Sequence, residues 1–406
     1  MRSIPRASSP PCIGLPLPLP HTPRERAVRD AGGSLSRPLR IALVAEDYYP
    51  QLGGVPEHVH NMALELERRG HTPVVVTSRM GGAHQDAPFV RRVGRSIVLY
   101  ANGGVSRITA GWRLTDQLAT LFAEGEFDLV HVHGGLAPTF GLLAPVAAWR
   151  VGLPVVATFH SWFPRSAGYR LLRRPLQRLL DRHARLIAVS TPVVAALSRY
   201  FRGNWEVIPN GVHLGVFHPN GRRPADAARG TPELLFLARL EPRNGLGTLL
   251  DAMPRILARF PGTRLMVAGD GPWRGYYERR ARALGDRVVF LGRVFDDRPA
   301  HYGRADLYLC PTTRASFGVT LLEAMACGTP LVLADNVGFR SVVRDGHEAA
   351  IVPGGDAAAW ADTTIALLED PARRAAMSQA GLATVARFSW TEIAERTLAV
   401  YEDVLR

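Results

Sequence analysis

Short β-branched runs alternate with amphipathic stretches along most of this chain, beginning at Arg40. The first three segments read "IALVAED", "VPEHVHNMALELERRG" and "TPVVVTS". The middle segment has apolar residues at helical spacing and stops at Gly70, and glycine commonly ends helices. Because the alternation continues through "SIVLY", "FDLVHVH", "PVVATFH" and "RLIAVS", it predicts an α/β fold with a parallel, doubly wound sheet.

The alternation pauses at residues 207–232, which are dense in glycine, proline and asparagine, and then resumes with "ELLFLARL". This pattern predicts an N-terminal domain over 39–206, an interdomain linker over 207–232 and a second doubly wound domain over 233–387. Residues 388–406 have helical spacing, and we expect an amphipathic helix that packs back on the N-terminal domain. Such sheets bind ligands at the carboxyl ends of their strands, so the function should lie in a central cleft.

The composition is that of an ordinary globular protein, with 47% hydrophobic residues among 406. No window offers the roughly 18 consecutive apolar residues of a membrane span. The three cysteines, Cys12, Cys310 and Cys327, are too few and too scattered for a disulfide framework or a metal cluster. We therefore expect a soluble protein of a reducing compartment, located in the cytoplasm.

The formal net charge of +13 comes from 49 basic and 36 acidic residues, and every basic residue is arginine. Because the arginines interleave with acids over most of the chain, nucleic acid is not the predicted partner. Nucleotide phosphates and anionic membranes are the partner classes left open.

Residues 1–38 differ from the rest, since "PPCIGLPLPLPH" is punctuated by proline and no hydrophobic period follows it. Pro16, Pro18 and Pro20 interrupt the apolar segment that a signal peptide requires. We interpret this stretch as a disordered tail or a misassigned start rather than a targeting sequence.

The loops of the first half contain glycine and histidine at strand ends. Gly53 and Gly54 open the first helix, where bare amides can approach a phosphate or a sugar, although a simple tight turn has the same sequence. The dinucleotide fingerprint G-x-G-x-x-G is absent. His131, His133 and His160 can contact sugar hydroxyls or phosphates, or can serve the core; a metal site is the weaker interpretation, since the spacing matches no zinc motif.

In the second half, Arg239 lies at a strand end and Arg243 lies in the loop that opens the next helix. Guanidinium groups there suit a diphosphate, which they grip with parallel hydrogen bonds. Gly269, in "VAGDGP", marks a second glycine turn after a strand, which alone is generic.

The stretch "TTRASFGVTLLEAMACG", residues 312–328, is the most informative. Phe317, Gly318, Val319 and Thr320 lead from a strand into a helix, so that free amides face the cleft as an anion site requires. Glu323 follows about one turn later, where a carboxylate can accept two ribose hydroxyls. An ordinary solvated glutamate is the alternative, which its apolar neighbours disfavour.

Together these elements resemble the retaining family 4 glycosyltransferases, which have the GT-B fold of two Rossmann-like domains facing a central cleft, and among them the phosphatidylinositol mannosyltransferases. The resemblance covers residues 40 to 406. Each element is weak alone, but the ordered set is highly specific: "GGVPEHVHNMALEL", "HVHG", "TFHS", "VIPNGV", "ARLEPRNGLGTLL", "VAGDGP", "FLGRV" and "SFGVTLLEAMACGTPLV".

The resemblance implies transfer of a sugar from a nucleotide diphosphate sugar with retention of anomeric configuration and without a required metal or other cofactor. The acceptor would bind mainly on the N-terminal domain. His160 and Arg239 would act at the reacting centre, with His58, His131 and His133 on the acceptor or sugar side. The implied donor-binding set is Gly53, Gly54, Arg239, Arg243, Asn244, Gly269, Arg293, Val294, Phe317, Gly318, Val319, Thr320 and Glu323.

Two positions depart from the family pattern. Ala315 stands where the family has a first glutamate, which normally contacts the sugar, and Asn244 stands where it has a phosphate-gripping lysine. Arg243 can supply the missing charge. These departures keep two alternatives open: a nucleotide-sugar-binding protein with impaired catalysis, and a nucleotide-sugar epimerase on the same fold.

Residues 164–186 combine arginines and leucines in a basic amphipathic stretch that we expect to be interrupted at Pro175. The pattern suits an anionic lipid surface, and it equally suits a helix that packs its leucines on its own domain. A lipid-linked acceptor and a peripheral location at the inner face of the plasma membrane are therefore hypotheses.

Overall fold

A computed structural model describes residues 37–51, 53–80, 86–101, 104–136, 139–220 and 231–406. The predicted tail lies outside the described residues except for Arg37 and Pro38, and so do residues 221–230 of the predicted linker.

The N-terminal domain is built on an eight-stranded sheet with the order β4-β3-β2-β1-β5-β6-β7-β8. Only β3 and β4 pair antiparallel; the other neighbours are parallel. The strands are β1 Arg40–Ala45, β2 Thr72–Arg79, β3 Val90–Ala101, β4 Gly104–Ala110, β5 Leu129–Gly134, β6 Val155–Phe159, β7 Arg185–Ala188 and β8 Trp205–Val207.

The C-terminal domain has a six-stranded parallel sheet with the order β11-β10-β9-β12-β13-β14. Its strands are β9 Glu233–Leu237, β10 Arg264–Ala268, β11 Val288–Gly292, β12 Leu307–Cys310, β13 Leu331–Ala334 and β14 Ala349–Val352. The predicted α/β architecture is confirmed, with one fully parallel sheet and one that is parallel except for the β3–β4 pair.

Helices cover both faces of each sheet, which is why the central strands are buried and mostly apolar. The N-terminal half contributes α1 Gly54–Arg68, α2 Leu114–Glu124, α3 Phe140–Arg150, α4 Ala167–Leu171, α5 Arg173–Leu180 and α6 Thr191–Leu197. The remaining helices are α7 Leu246–Arg259, α8 Arg274–Ala281, α9 Arg298–Arg304, α10 Val319–Ala326, α11 Val337–Arg340, α12 Ala357–Glu369, α13 Pro371–Val385 and α14 Trp390–Val404.

The strand order reverses at one point in each sheet, and these points position the site. In the first sheet, β1 lies between β2 and β5, so the loop after Ala45 lies beside His133. In the second, β9 lies between β10 and β12, so the loop that carries Arg239 lies beside the loop that precedes α10. Ligands of doubly wound sheets bind at such switch points.

The last helix, α14, packs on the N-terminal domain although it follows the C-terminal domain in sequence. Tyr401 contacts His131 of β5, Arg185 of β7 pairs with Asp403, and Arg69 donates to the carbonyl oxygen of Thr391 at 2.9 Å. The chain therefore crosses between the domains twice.

The two crossings contact each other. Val212 of the predicted linker forms a parallel bridge with Ser389, and a Cβ atom on Gly211 would lie 2.7 Å from the Trp390 ring. This close packing requires glycine at position 211 and holds both crossings at the back of the cleft.

The expected interruption at Pro175 is wrong. The break in residues 164–186 falls at Leu172, between α4 and α5, and Pro175 lies in the first turn of α5. Proline is tolerated there because first-turn amides have no partner within the helix. Among the described residues, no helix is both long enough and apolar enough to cross a membrane.

Candidate active site

A cavity of about 130 Å³ lies between the two domains, at the switch points of both sheets. It is bounded by α1 on one side, by α9 and α10 on the other, and by the interdomain crossings at the back. Four predicted site residues line it, namely Gly54, His58, Val319 and Glu323.

The glycine pair at the start of α1 leaves open space. A Cβ atom on Gly54 would meet nothing within 4 Å, and one on Gly53 would meet only the Pro56 ring at 3.7 Å. The fold itself therefore does not require glycine at these positions. Because the helix start also presents amides and a positive dipole end, the open space suits an anionic or sugar ligand.

The start of α10 faces the same cavity from the other domain. Gly318 has φ of +124°, and a Cβ atom there would lie 2.9 Å from the Phe339 ring, so this turn requires glycine. In the described part of the chain, α10 has no side-chain cap at its N-terminus. The first amides of α10, from Val319 and Thr320, thus remain available for a phosphate.

The loop before α10 also joins the two domains. The amide of Trp162 donates to Ser316 Oγ at 2.7 Å, and Ser190 Oγ donates to the carbonyl oxygen of Ser316 at 2.7 Å. Phe317 is buried beside Phe388. The predicted anion site at the start of α10 is therefore held from both sides of the cleft.

Glu323 is a buried acid rather than a solvated one, with 2% of its surface exposed. Its Oε1 accepts a hydrogen bond from Arg298 at 2.8 Å, and its Oε2 accepts one from the Tyr302 hydroxyl at 2.9 Å. Arg298 also lies 3.3 Å from Glu57 of α1, so this guanidinium links the domains.

Burial raises the pKa of Glu323 to about 7, and the charge of Glu57 acts in the same direction. Arg298 and the Tyr302 hydroxyl oppose the shift but do not cancel it. Near neutral pH the Glu323 carboxyl therefore exists in both protonation states.

Arg239 and Arg243 meet at Glu241, with nitrogen to oxygen distances of 3.0 and 2.9 Å. Both guanidinium groups are partly exposed, while Glu241 is buried. Asn244 is buried, and its side-chain amide donates to the carbonyl oxygen of Arg239 at 2.7 Å. Asn244 thus fixes the backbone of the loop that presents the arginines.

The turn after β10 brings Gly269 against the neighbouring loop. A Cβ atom on Gly269 would lie 2.0 Å from the carbonyl oxygen of Ala238, so the close approach of these two loops requires glycine at position 269. Arg293 lies 3.4 Å from Asp270 and is mostly exposed, and Val294 is partly buried. These residues lie at strand ends but do not line the interdomain cavity.

The predicted histidines separate into two groups. His131 is committed to the fold, because its ring nitrogens contact the Tyr401 hydroxyl at 2.6 Å and Thr158 Oγ1 at 2.7 Å. His133 Nδ1 lies 3.2 Å from His160 Nε2, and the His58 ring centre lies 4.8 Å from that of His160. Burial lowers the pKa of all four histidines, so their rings are neutral at pH 7.

Two acids at the end of β1 were missed by the sequence reasoning. Glu46 accepts hydrogen bonds from Thr109 and from the amide of Phe140, both at 2.5 Å. Asp47 has a buried Oδ1 without a partner among the described residues, and burial raises its pKa against the charges of Arg107 and Arg239. Both acids directly follow the first strand, and this position alone could have marked them as candidate site residues.

Comparison with known proteins identifies the family. The family model "Glycosyltransferase Family 4" matches residues 52–216, and "Glycosyl transferases group 1" matches residues 231–370. The chain is 34% identical to a phosphatidyl-myo-inositol mannosyltransferase of Mycobacterium tuberculosis, over 90% of this chain and 97% of the relative. It is 31% identical to a D-inositol 3-phosphate glycosyltransferase of Mycobacterium avium, over 92% and 96%.

Solved structures share the fold. A glycosyltransferase from Rickettsia africae superposes with a TM-score of 0.73 at 18% identity, covering 91% of this chain and 99% of the other. The Anabaena protein HepE, in complex with UDP and glucose, gives 0.69 at 20% identity, covering 89% and 98%. The predicted GT-B fold and the family resemblance are both confirmed, and the chain belongs to the family 4 glycosyltransferases.

Proposed function

We propose that this glycosyltransferase moves a sugar from a nucleotide diphosphate sugar to an acceptor hydroxyl with retention of anomeric configuration. One observation carries the proposal. Two helix starts that have no side-chain cap among the described residues, at Gly54 and at Val319, belong to opposite domains and line one interdomain cavity together with the buried acid Glu323. A phosphorylated sugar that bridges the domains satisfies both helix starts at once.

In this proposal the donor binds mainly on the C-terminal domain. The amides of Val319 and Thr320 hold the diphosphate, and Arg239 and Arg243 complete its neutralisation. Glu323 accepts the ribose hydroxyls, which exchange with its contacts to Arg298 and Tyr302. The loop at Arg293 and Val294 contacts the base.

Catalysis depends on stabilising the leaving group. The nucleoside diphosphate departs with developing negative charge, which Arg239 and the α10 amides stabilise in a geometry that exists before the reaction. The neutral His160 ring contacts the sugar near the reacting carbon. We propose that no metal is required, because these groups supply the positive charge at the diphosphate.

The acceptor lies on the N-terminal side of the cleft. The relatives' names, which refer to phosphatidyl-myo-inositol and to inositol 3-phosphate, support an acceptor with a phosphorylated polyol head group, including a lipid-linked one. Asp47 follows β1, and its buried Oδ1 has no partner among the described residues, so in this proposal it accepts a hydrogen bond from such a polyol.

Contact with an anionic membrane is supported by α4 rather than by α5. Leu176 and Leu180 of α5 are buried in the domain core, whereas Leu171 is 83% exposed and Leu172 is 50% exposed, among arginines. We propose a peripheral location at the inner face of the plasma membrane. Liposome flotation tests it, and binding that is independent of anionic lipid or unchanged in Leu171→Ser/Leu172→Ser would contradict it.

A panel of nucleotide sugars tests the donor assignment. A ligand that binds the native state raises Tm, and the sugar that does so is then incubated alone and with phosphorylated polyols. Release of nucleoside diphosphate with a glycosylated product supports the transferase. Binding without turnover supports the impaired binding protein, which Ala315 keeps open, and a changed free nucleotide sugar supports an epimerase.

A further inference from the structure

Three imidazoles from separate elements converge beside the cleft. His58 comes from α1, His133 from the end of β5, and His160 from the loop after β6. One ring nitrogen of each lies within 4.8 Å of those of the other two, and all three residues are buried. Neighbouring histidines brought together from distant parts of a fold can act as metal ligands.

Two nitrogens of this cluster, His58 Nδ1 and His133 Nε2, have no partner at normal hydrogen-bond geometry among the described residues, although the Asn210 side chain lies near His58. Leaving a buried polar atom unsatisfied costs free energy, so such atoms call for an explanation. His131 provides the contrast in the same sheet, since both of its nitrogens have hydroxyl partners. Among the buried histidine nitrogens of the described residues, the unsatisfied ones thus belong to the converging set.

The geometry is close to that of a metal centre. Zinc to nitrogen bonds of about 2.0–2.1 Å place two tetrahedral ligand nitrogens about 3.3 Å apart. His133 Nδ1 and His160 Nε2, which share a hydrogen bond in this structure, are already 3.2 Å apart, so coordination by these two atoms replaces that bond while His133 Nε2 stays outside it. One ligand nitrogen of each residue lies within 4.8 Å of the others, so the third needs to approach by no more than about 1.5 Å. His58 also lines the interdomain cavity, so one member of the set lies at the cavity wall.

We propose that His58, His133 and His160 form a three-imidazole site for a divalent transition-metal ion such as Zn²⁺. Neutral imidazole is a preferred ligand of Zn²⁺ and Co²⁺, whereas Mg²⁺ prefers oxygen. The proposed reaction needs no metal, so this ion inhibits it: an occupied site withdraws His160 from the sugar. The inhibition rests on the proposed function, whereas the metal site itself does not.

Direct binding to the full chain, freed of metal and of any affinity tag, tests the site. We expect one equivalent of Zn²⁺ by calorimetry and strong visible absorption from Co²⁺ in low coordination. His58→Gln and His133→Gln should each weaken Zn²⁺ binding at least tenfold. His131→Gln is the matched control, and its Zn²⁺ affinity should equal that of the wild type.

Equal Zn²⁺ affinity in all four proteins would overturn the site. Because buried substitutions can prevent folding, the wild type is also titrated while its histidine ¹⁵N resonances are followed. Zn²⁺ should shift the signals of three buried rings far more than that of His131, whose ring centre lies 4.1 Å from that of His133 but whose nitrogens keep their hydroxyl partners; movement of exposed rings alone would overturn the proposal. The nucleotide-sugar panel, run without metal, tests the proposed function separately. The metal site can be absent while the transferase activity is present, and the reverse.

Discussion

Glu323→Gln tests the donor site most sharply, because glutamine keeps the shape of the side chain and removes its charge. A hydrogen bond to a charged group contributes about 1.5–3 kcal/mol, which corresponds to about a 10- to 150-fold change in Kd. The ribose must compete with Arg298 at Oε1 and with Tyr302 at Oε2, so we expect the lower end, about a tenfold rise in Kd for the nucleotide sugar.

The assay is calorimetric titration of the nucleotide sugar that gives the largest rise in Tm. Glu348→Gln is a matched control, since Glu348 is also a buried acid, lies in the same domain and pairs with Arg344 away from the cleft. Its Kd should equal that of the wild type. Wild-type affinity in Glu323→Gln would refute the assignment of Glu323 to the ribose.

The raised pKa of Glu323, about 7 against an ordinary 4.5, adds a pH signature. In the proposed site the ribose binds to the carboxylate, so wild-type affinity should rise between about pH 6 and 8, and Glu323→Gln should lose this dependence. The contribution of Glu323 to folding stability has the opposite pH dependence. Between about pH 4.5 and 7 the native state retains a proton that the unfolded chain has released, so this group lowers the unfolding free energy as pH rises. A flat wild-type binding profile would contradict the reasoning.

Three further substitutions separate binding from folding. Arg239→Met should weaken nucleoside diphosphate binding severalfold or more by calorimetry and leave nucleoside binding unchanged; equal losses would exclude a role at the diphosphate. Gly54→Ala adds a methyl group where nothing lies within 4 Å, so Tm should hold while kcat/KM falls at least tenfold; full activity would show that no ligand occupies this space. Tyr401→Phe removes the hydroxyl that contacts His131, and denaturant unfolding should show a loss of about 1–3 kcal/mol with unchanged nucleotide affinity. Wild-type stability would contradict the structural role of that contact.

The sequence predicts the fold well because burial on both sheet faces imposes local patterns. The apolar run of β1 and the helical spacing of α1 each reflect their own environment, so the alternation could be read without tertiary information. The same alternation located the loops that follow the strands, where we expected the site residues. The break at Leu172 was missed because Pro175 fits a first helical turn as well as it fits an interruption.

The partners of the site residues could not be predicted in this way. Arg298 lies 25 residues before Glu323 in the chain, and its link to Glu57 spans 241 residues. His131 and His133 look alike in "HVHG", yet only α14 gives His131 the Tyr401 hydroxyl. Such contacts arise from how the two domains and the last helix pack, and no local pattern encodes them.

The central claim is retaining transfer from a nucleotide diphosphate sugar in the interdomain cleft. Proton NMR during turnover, with the donor found by thermal shift and a phosphorylated polyol acceptor, measures both the released nucleoside diphosphate and the anomeric configuration of the first-formed product. We predict release of one nucleoside diphosphate per product, with the configuration of the donor kept. An inverted product, or no release from a donor that binds, would contradict the account.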